Sequence, residues 1–147
     1  MEIRQIRENK KTFLPLLLLA DEQESMIDRY LEQGDLWVLY DPDPVGLYVV
    51  IQGEWANTME LKALAVAPER QRQGLGRMLV EHLLNQYQGK GTLLVGTGDT
   101  PLTLSFYESL GFVFYARSKD FFLKYYDHPI FEGGRQLVDM VSLQHPL

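Results

Sequence analysis

A chain of 147 residues is the length of one domain, and 46% apolar with 23% charged residues is the makeup of an ordinary globular protein, not a disordered or fibrous one. The absence of cysteine excludes disulfides, thiolate metal sites and a cysteine nucleophile, and it fits a reducing compartment, so the expected location is the cytoplasm. With 14 basic against 20 acidic residues, a net charge of −6 and no basic block, the chain is not expected to bind nucleic acid and is better suited to attracting a cationic partner.

Residues 2–7 alternate like a strand, with Ile3 and Ile6 apolar. Residues 10–20 and 22–33 read as two helices, the second stopped by Gly34. The apolar run 13–20 is too short to span a bilayer and contains Pro15, and no small-residue cleavage site follows it, so it is expected to be a buried helix. Residues 35–40 and 45–52 are β-branched and aromatic runs joined by Asp41-Pro42-Asp43-Pro44, which predicts a hairpin. Residues 58–66 make a further strand. Leu75, Met78, Leu79, His82, Leu83 and Tyr87 then fall at three- and four-residue spacing, predicting an amphipathic helix over 74–88. A short strand over 92–97, a helix over 102–110 closed by Gly111, and strands over 112–115 and 137–143 complete the pattern. The aromatic-rich segment 118–134 is not assigned. No repeat or linker divides the chain, so residues 1–147 are expected to form a single α/β domain around a mixed sheet.

The chemistry concentrates where the 58–66 strand passes through Pro68 into a polar turn and then a helix. The first amides of a helix have no internal partner, and with the helix dipole they form an anion site suited to a diphosphate. Gly74 and Gly76 remove side chains that would hold a phosphate away, and Arg70, Arg72 and Arg77 add positive charge. The competing reading is a plain loop with two incidental glycines. The strand, the prolyl turn and the basic cluster together favour the anion site.

Gln71-x-x-Gly74-x-Gly76 resembles motif A of the GNAT superfamily, the acyl-CoA-dependent N-acetyltransferases. Downstream, Phe106-Tyr107-x-x-x-Gly111-Phe112 resembles that family's Phe-Tyr-x-x-x-Gly-Phe motif, and the order of elements matches along nearly the whole chain. The long aromatic segment resembles a tail found in a small bacterial subgroup of undefined substrate. The resemblance implies a mixed, mostly antiparallel sheet of about seven strands, splayed between the fourth and fifth, with about four flanking helices. It also implies acetyl-CoA as cosubstrate. Pantetheine would run along the backbone of Leu64, Ala65 and Val66, and the pyrophosphate would take amides from the turn Gln71, Arg72, Gln73, Gly74, Leu75, Gly76 and Arg77.

Acyl transfer to an amine needs a neutral nucleophile, a stabilised oxyanion and a proton for the leaving thiolate. A lysine-like amine of pKa about 10.4 is almost wholly protonated at pH 7. Tyr107 is the candidate acid: a phenol is protonated at working pH, and by resemblance this tyrosine sits beside the coenzyme sulfur. The alternative is a tyrosine that only packs on its helix. Glu60 is the candidate base, on one strand face with Lys62, Leu64 and Val66, where Lys62 could pair with it; the alternative is a solvated glutamate. The oxyanion is expected to rest on a backbone N–H near Ala65 or Val66. Asp99 or Thr100 reads as a helix N-cap ahead of Pro101. The aromatic segment reads as loop packing or a homodimer contact, with a flap over a cationic acceptor as the functional alternative and His128 as an alternative base. No histidine has a partner at ligand spacing, so no metal is expected. The leading expectation is an N-acetyltransferase acting on a primary amine of a small cationic molecule through a ternary complex. Acetylation of a protein N-terminus or lysine, and a non-catalytic acyl-CoA-binding module, are the alternatives.

Overall fold

The computed structural model describes residues 1–147, which divide into two compact units, Met1–Gly91 with Leu147 and Thr92–Pro146. In the first unit β1 (Glu2–Ile6), β2 (Asp35–Tyr40), β3 (Pro44–Gln52) and β4 (Thr58–Val66) form consecutive antiparallel pairs. The hairpin at residues 41–44 is present, closed by the Asp41 amide donating to the Asp43 carbonyl at 2.8 Å. β3 is buried on both faces from Val45 to Val50, which is why its sequence is a continuous apolar run.

One face of this sheet packs on α1 (Leu14–Ala20), whose Leu17 meets Leu36, Val38, Leu47, Val49, Ala63 and Ala65 in one cluster. The other face receives α3 (Leu75–Gln86), buried through Leu75, Leu79, Val80 and Leu83. Gly46 lets α3 approach: a Cβ there would stand 3.1 Å from Leu79 Cδ1. Polar ties fix the same face. Tyr48 Oη and His82 Nδ1 lie 2.8 Å apart. Trp37 Nε1 donates to Tyr87 Oη at 3.0 Å, and Tyr87 Oη donates to Asp35 at 2.7 Å.

The two helices expected over 10–20 and 22–33 are shorter than their patterns. Lys10–Phe13 is a 3-10 turn, and α2 is only Glu24–Ile27, continued by irregular turns to residue 33. The turns that replace the second helix are held by Lys10, of which only 7% remains exposed. Its ammonium donates to the carbonyls of Leu31 at 3.0 Å, Glu32 at 3.1 Å and Gly34 at 2.6 Å, satisfying turn carbonyls that a longer helix would present differently.

In the second unit the strand order is β5 (Thr92–Gly98), β9 (Met140–Pro146), β6 (Val113–Ser118), all antiparallel. β9 begins three residues later than the sequence pattern suggests. The Leu137 amide donates to the Ile130 carbonyl at 2.8 Å, and Asp139 accepts from Arg117 and from the Asp120 amide, so this stretch is spent on loop contacts. α4 (Pro101–Ser109) follows β5. The unassigned segment contains α5 (Phe121–Tyr125) and a small hairpin of β7 (Phe131–Glu132) and β8 (Arg135–Gln136), turned at Gly133 and Gly134, both with positive φ. No helix is long and apolar enough to cross a membrane.

Candidate active site

In the first unit, β4 leaves the sheet at Val66, passes through a 3-10 turn at Pro68–Arg70 and reaches Gly74, the N-cap of α3. Gly74 has φ 82, a left-handed conformation natural to glycine, and a Cβ there would meet nothing within 4 Å, so its conformation and not crowding selects glycine. The first helical hydrogen bond runs from the Met78 amide to the Gly74 carbonyl at 3.0 Å, so the amides of Leu75, Gly76 and Arg77 precede the helical ladder. Gln71, Arg72, Gln73 and Gly74 are exposed in front of them, and Arg72 also has a positive φ of 63. The Gln71 side chain donates back to the Val66 carbonyl at 3.1 Å, tying the turn to the end of β4.

The three arginines do not share one role. Arg70 pairs with Asp41 at 2.7 Å and donates to Gln73 at 3.1 Å, so it braces the turn against the hairpin; its guanidinium holds the Asp41 carboxyl below the usual carboxylate range. Arg77 lies 3.8 Å from Glu81, one helical turn on. Arg72 is exposed on the turn itself.

On β4, Leu61, Ala63 and Ala65 are buried while Glu60, Lys62, Leu64 and Val66 are half-buried, as alternation predicts. The register against β3 jumps from Val49↔Ala63 to Val50↔Leu61, skipping Lys62, which is a β-bulge. Lys62 Nζ donates to Glu60 at 3.2 Å and stands 5.8 Å from the Tyr30 ring centroid.

In the second unit, Tyr107 is buried on α4. The helix ends in a Schellman motif: the Phe112 amide donates to the Tyr107 carbonyl at 3.1 Å and the Gly111 amide to that of Glu108 at 3.0 Å, with Gly111 left-handed at φ 94. The Tyr107 and Phe112 rings meet edge-to-face at 5.2 Å, the apolar contact that accompanies this cap, and Phe106 flanks Tyr107 at 5.1 Å. The Tyr-x-x-x-Gly-Phe spacing is therefore the spacing of a helix end that fixes the tyrosine ring. Burial, and next the Glu132 carboxylate, push the phenol well above its ordinary pKa, so it is protonated throughout the neutral range.

Thr100 occupies the N-cap position of α4 with Pro101 behind it, but its side chain makes no capping bond. Its hydroxyl donates to Glu132, as does that of Thr103 at 2.6 Å. Asp99 is not a cap either: it pairs with Arg117 at 2.7 Å, and Arg117 also reaches Asp139 at 3.1 Å. A cavity of about 210 Å³ lies against Asp99, Arg135 and residues 136–139, and its two carboxylates, Asp99 and Asp139, share Arg117. In the aromatic segment, Phe121 packs on Tyr125 at 4.8 Å and Phe122 stacks on Tyr126 at 5.6 Å, while His128 pairs with Asp127 at 2.6 Å. Glu132 is the residue that sequence reasoning misses. The available signal is the Thr100, Thr103, Tyr107 spacing, which places two hydroxyls and a phenol on one helix face.

Comparison with known proteins is decisive at the level of family. The family model for the acetyltransferase (GNAT) domain matches residues 32–114. The chain belongs to the GNAT acetyltransferase family. It is 38% identical over 132 residues to the uncharacterized N-acetyltransferase YvbK of Bacillus subtilis, covering 87% of this chain and 84% of that one. It is 35% identical over 100 residues to the peptidyl-lysine N-acetyltransferase YjaB of Salmonella typhimurium, covering 67% of this chain and 63% of that one. Among solved structures, a GNAT family acetyltransferase from Elizabethkingia anophelis with acetyl-CoA bound superposes with a TM-score of 0.92 at 33% identity, over 99% of this chain and 97% of that one. The GNAT fold expected from the two motifs is the fold found, with seven main strands and five helices; the short α5 falls in the segment the sequence does not assign.

Proposed function

We propose that residues 1–147 act as one domain that transfers an acetyl group from acetyl-CoA to a primary amine of a small cationic molecule, by direct attack in a ternary complex. The observation that carries this reading is the N-terminus of α3, where three amides without helical partners follow an exposed turn capped by left-handed Gly74. Such a terminus suits a pyrophosphate, and the Elizabethkingia relative holds acetyl-CoA. In this reading Gln71, Arg72, Gln73, Gly74, Leu75, Gly76 and Arg77 take the pyrophosphate, while the backbone of Leu64, Ala65 and Val66 takes the pantetheine arm and supplies the N–H for the oxyanion.

The amine nitrogen attacks the thioester carbon, forming C–N as C–S breaks. Glu60, paired with Lys62 at 3.2 Å, takes the proton from nitrogen, and the Tyr107 phenol gives its proton to sulfur. With no cysteine in the chain, a thioester acyl-enzyme has no nucleophile, which favours direct attack. The net charge of −6 favours a cationic acceptor, and the lack of cysteine suits a cytoplasmic setting. Acetylation of a protein lysine is the second reading, favoured by the identity to the peptidyl-lysine enzyme.

The test is thermal melting with acetyl-CoA, followed by thiol release against spermidine, an amino sugar and a lysine peptide. At one hundred times its Kd the coenzyme should stabilise the fold by about 2.7 kcal/mol. Gly76→Glu should lose this shift, because a carboxylate would stand among the phosphate-binding amides. No shift at millimolar acetyl-CoA would sink the coenzyme claim. A shift without thiol release for any amine favours a binding module, and turnover of the peptide alone favours the second reading.

A further inference from the structure

Thr100, Thr103 and Tyr107 are spaced three and four residues apart and share one face of α4. At the first turn of the helix both threonine hydroxyls donate to the same oxygen of Glu132, Oε2. Glu132 arrives from β7, in a hairpin of two residues per strand turned on Gly133 and Gly134 with φ 56 and 78. That hairpin is held at its base by the Leu137 amide donating to the Ile130 carbonyl, and both of those side chains are buried. A carboxylate is thus delivered on a rigid mount to the helix that carries the phenol.

We infer that Glu132 is a positioning residue for Tyr107: pinned by Thr100 and Thr103, it fixes the helix face that carries the phenol. The inference rests on the reading of Tyr107 as proton donor. Phe106 and Phe112 flank the ring, and His145 of β9 packs on Phe112 with centroids 5.0 Å apart. Burial, and next the Glu132 carboxylate, disfavour the tyrosinate. The phenol therefore keeps its proton until a sulfur anion develops to receive it.

The experiment uses hydroxylamine as acceptor, because it is small and already unprotonated at pH 8, so release of CoA from acetyl-CoA reports the leaving-group side. Tyr107→Phe should slow release. Glu132→Gln can still accept the threonine hydroxyls through its amide oxygen but carries no charge. It should release CoA at close to the wild-type rate, whereas Glu132→Ala, which takes away the acceptor of both hydroxyls, should lose about tenfold in kcat with an unchanged KM for acetyl-CoA. Thr103→Val should slow release, and Thr103→Ser should restore it. Wild-type kcat in Glu132→Ala overturns the inference. If that variant does not fold, the threonine pair decides, and wild-type turnover in Thr103→Val overturns it. Unchanged release in Tyr107→Phe would remove the proton-donor reading and this inference with it. Slow Tyr107→Phe beside an unaffected Glu132→Ala would remove this inference alone.

Discussion

Taking the hydroxyl from Tyr107 leaves a ring that still meets Phe106 and Phe112 at about the same distances, so Tyr107→Phe separates chemistry from packing. With the acceptor that supports turnover, kcat should fall by about ten- to a hundredfold while the acetyl-CoA melting shift stays at its wild-type size. An unchanged kcat would place the phenol among packing groups. At this scale the sequence is readable where neighbours along the chain are neighbours in space. Glu60 and Lys62 pair because strand alternation puts them on one face, and Gly74 is forced by a backbone angle its own turn requires. Glu132 is opaque for the opposite reason: its partners Thr100 and Thr103 are about thirty residues earlier, and no periodicity marks a strand of two residues. Thr100 shows the same limit, since its position predicts a cap and its side chain is drawn to a distant carboxylate instead.

Elements whose pattern is long and local, such as β4 and α3, are found close to where spacing puts them. The segment 22–33 fails because a tertiary partner overrides a helical pattern: the Lys10 ammonium gathers three carbonyls from the turns that replace the helix. Lys10→Met keeps the length and the apolar stem but leaves those carbonyls without their donor. It should cost about 3 kcal/mol, measured by urea unfolding. A loss below about 0.5 kcal/mol would mean that water serves the carbonyls equally well. β9 makes the complementary point. Its sequence is strand-like from Leu137, yet residues 137–139 are held by Ile130, Arg117 and Asp120, so pairing starts at Met140.

Across the molecule, acid should act in two stages. Burial lowers the His82 pKa below its ordinary value near 6.5. In the interval below 6.5 the unfolded chain therefore binds a proton that the folded chain does not, and stability declines as pH falls through that interval. Asp139, held low chiefly by the Asp120 amide and then by Arg117, and Asp41, held low by Arg70, stabilise the fold above the ordinary carboxylate pKa and lose that effect only below about pH 4. The melting temperature should thus drop once from pH 6.5 downward and again below about pH 4. His82→Gln should flatten the first decline and leave the second. A first decline as steep in the variant as in the wild type would assign it to other groups.

Gly111 carries a consequence of a different order. The same residue ends α4 and, through the Phe112 amide and ring, holds Tyr107 in place. A side chain there would meet both a left-handed backbone and His145, whose Nε2 would stand 3.2 Å from the new Cβ. On the proposed reading of Tyr107 as proton donor, a library selected only for folded protein and one selected only for turnover would then discard the same variants at this position. Neither selection could be relaxed to let the other drift, so folding and chemistry inherit a single shared point of failure.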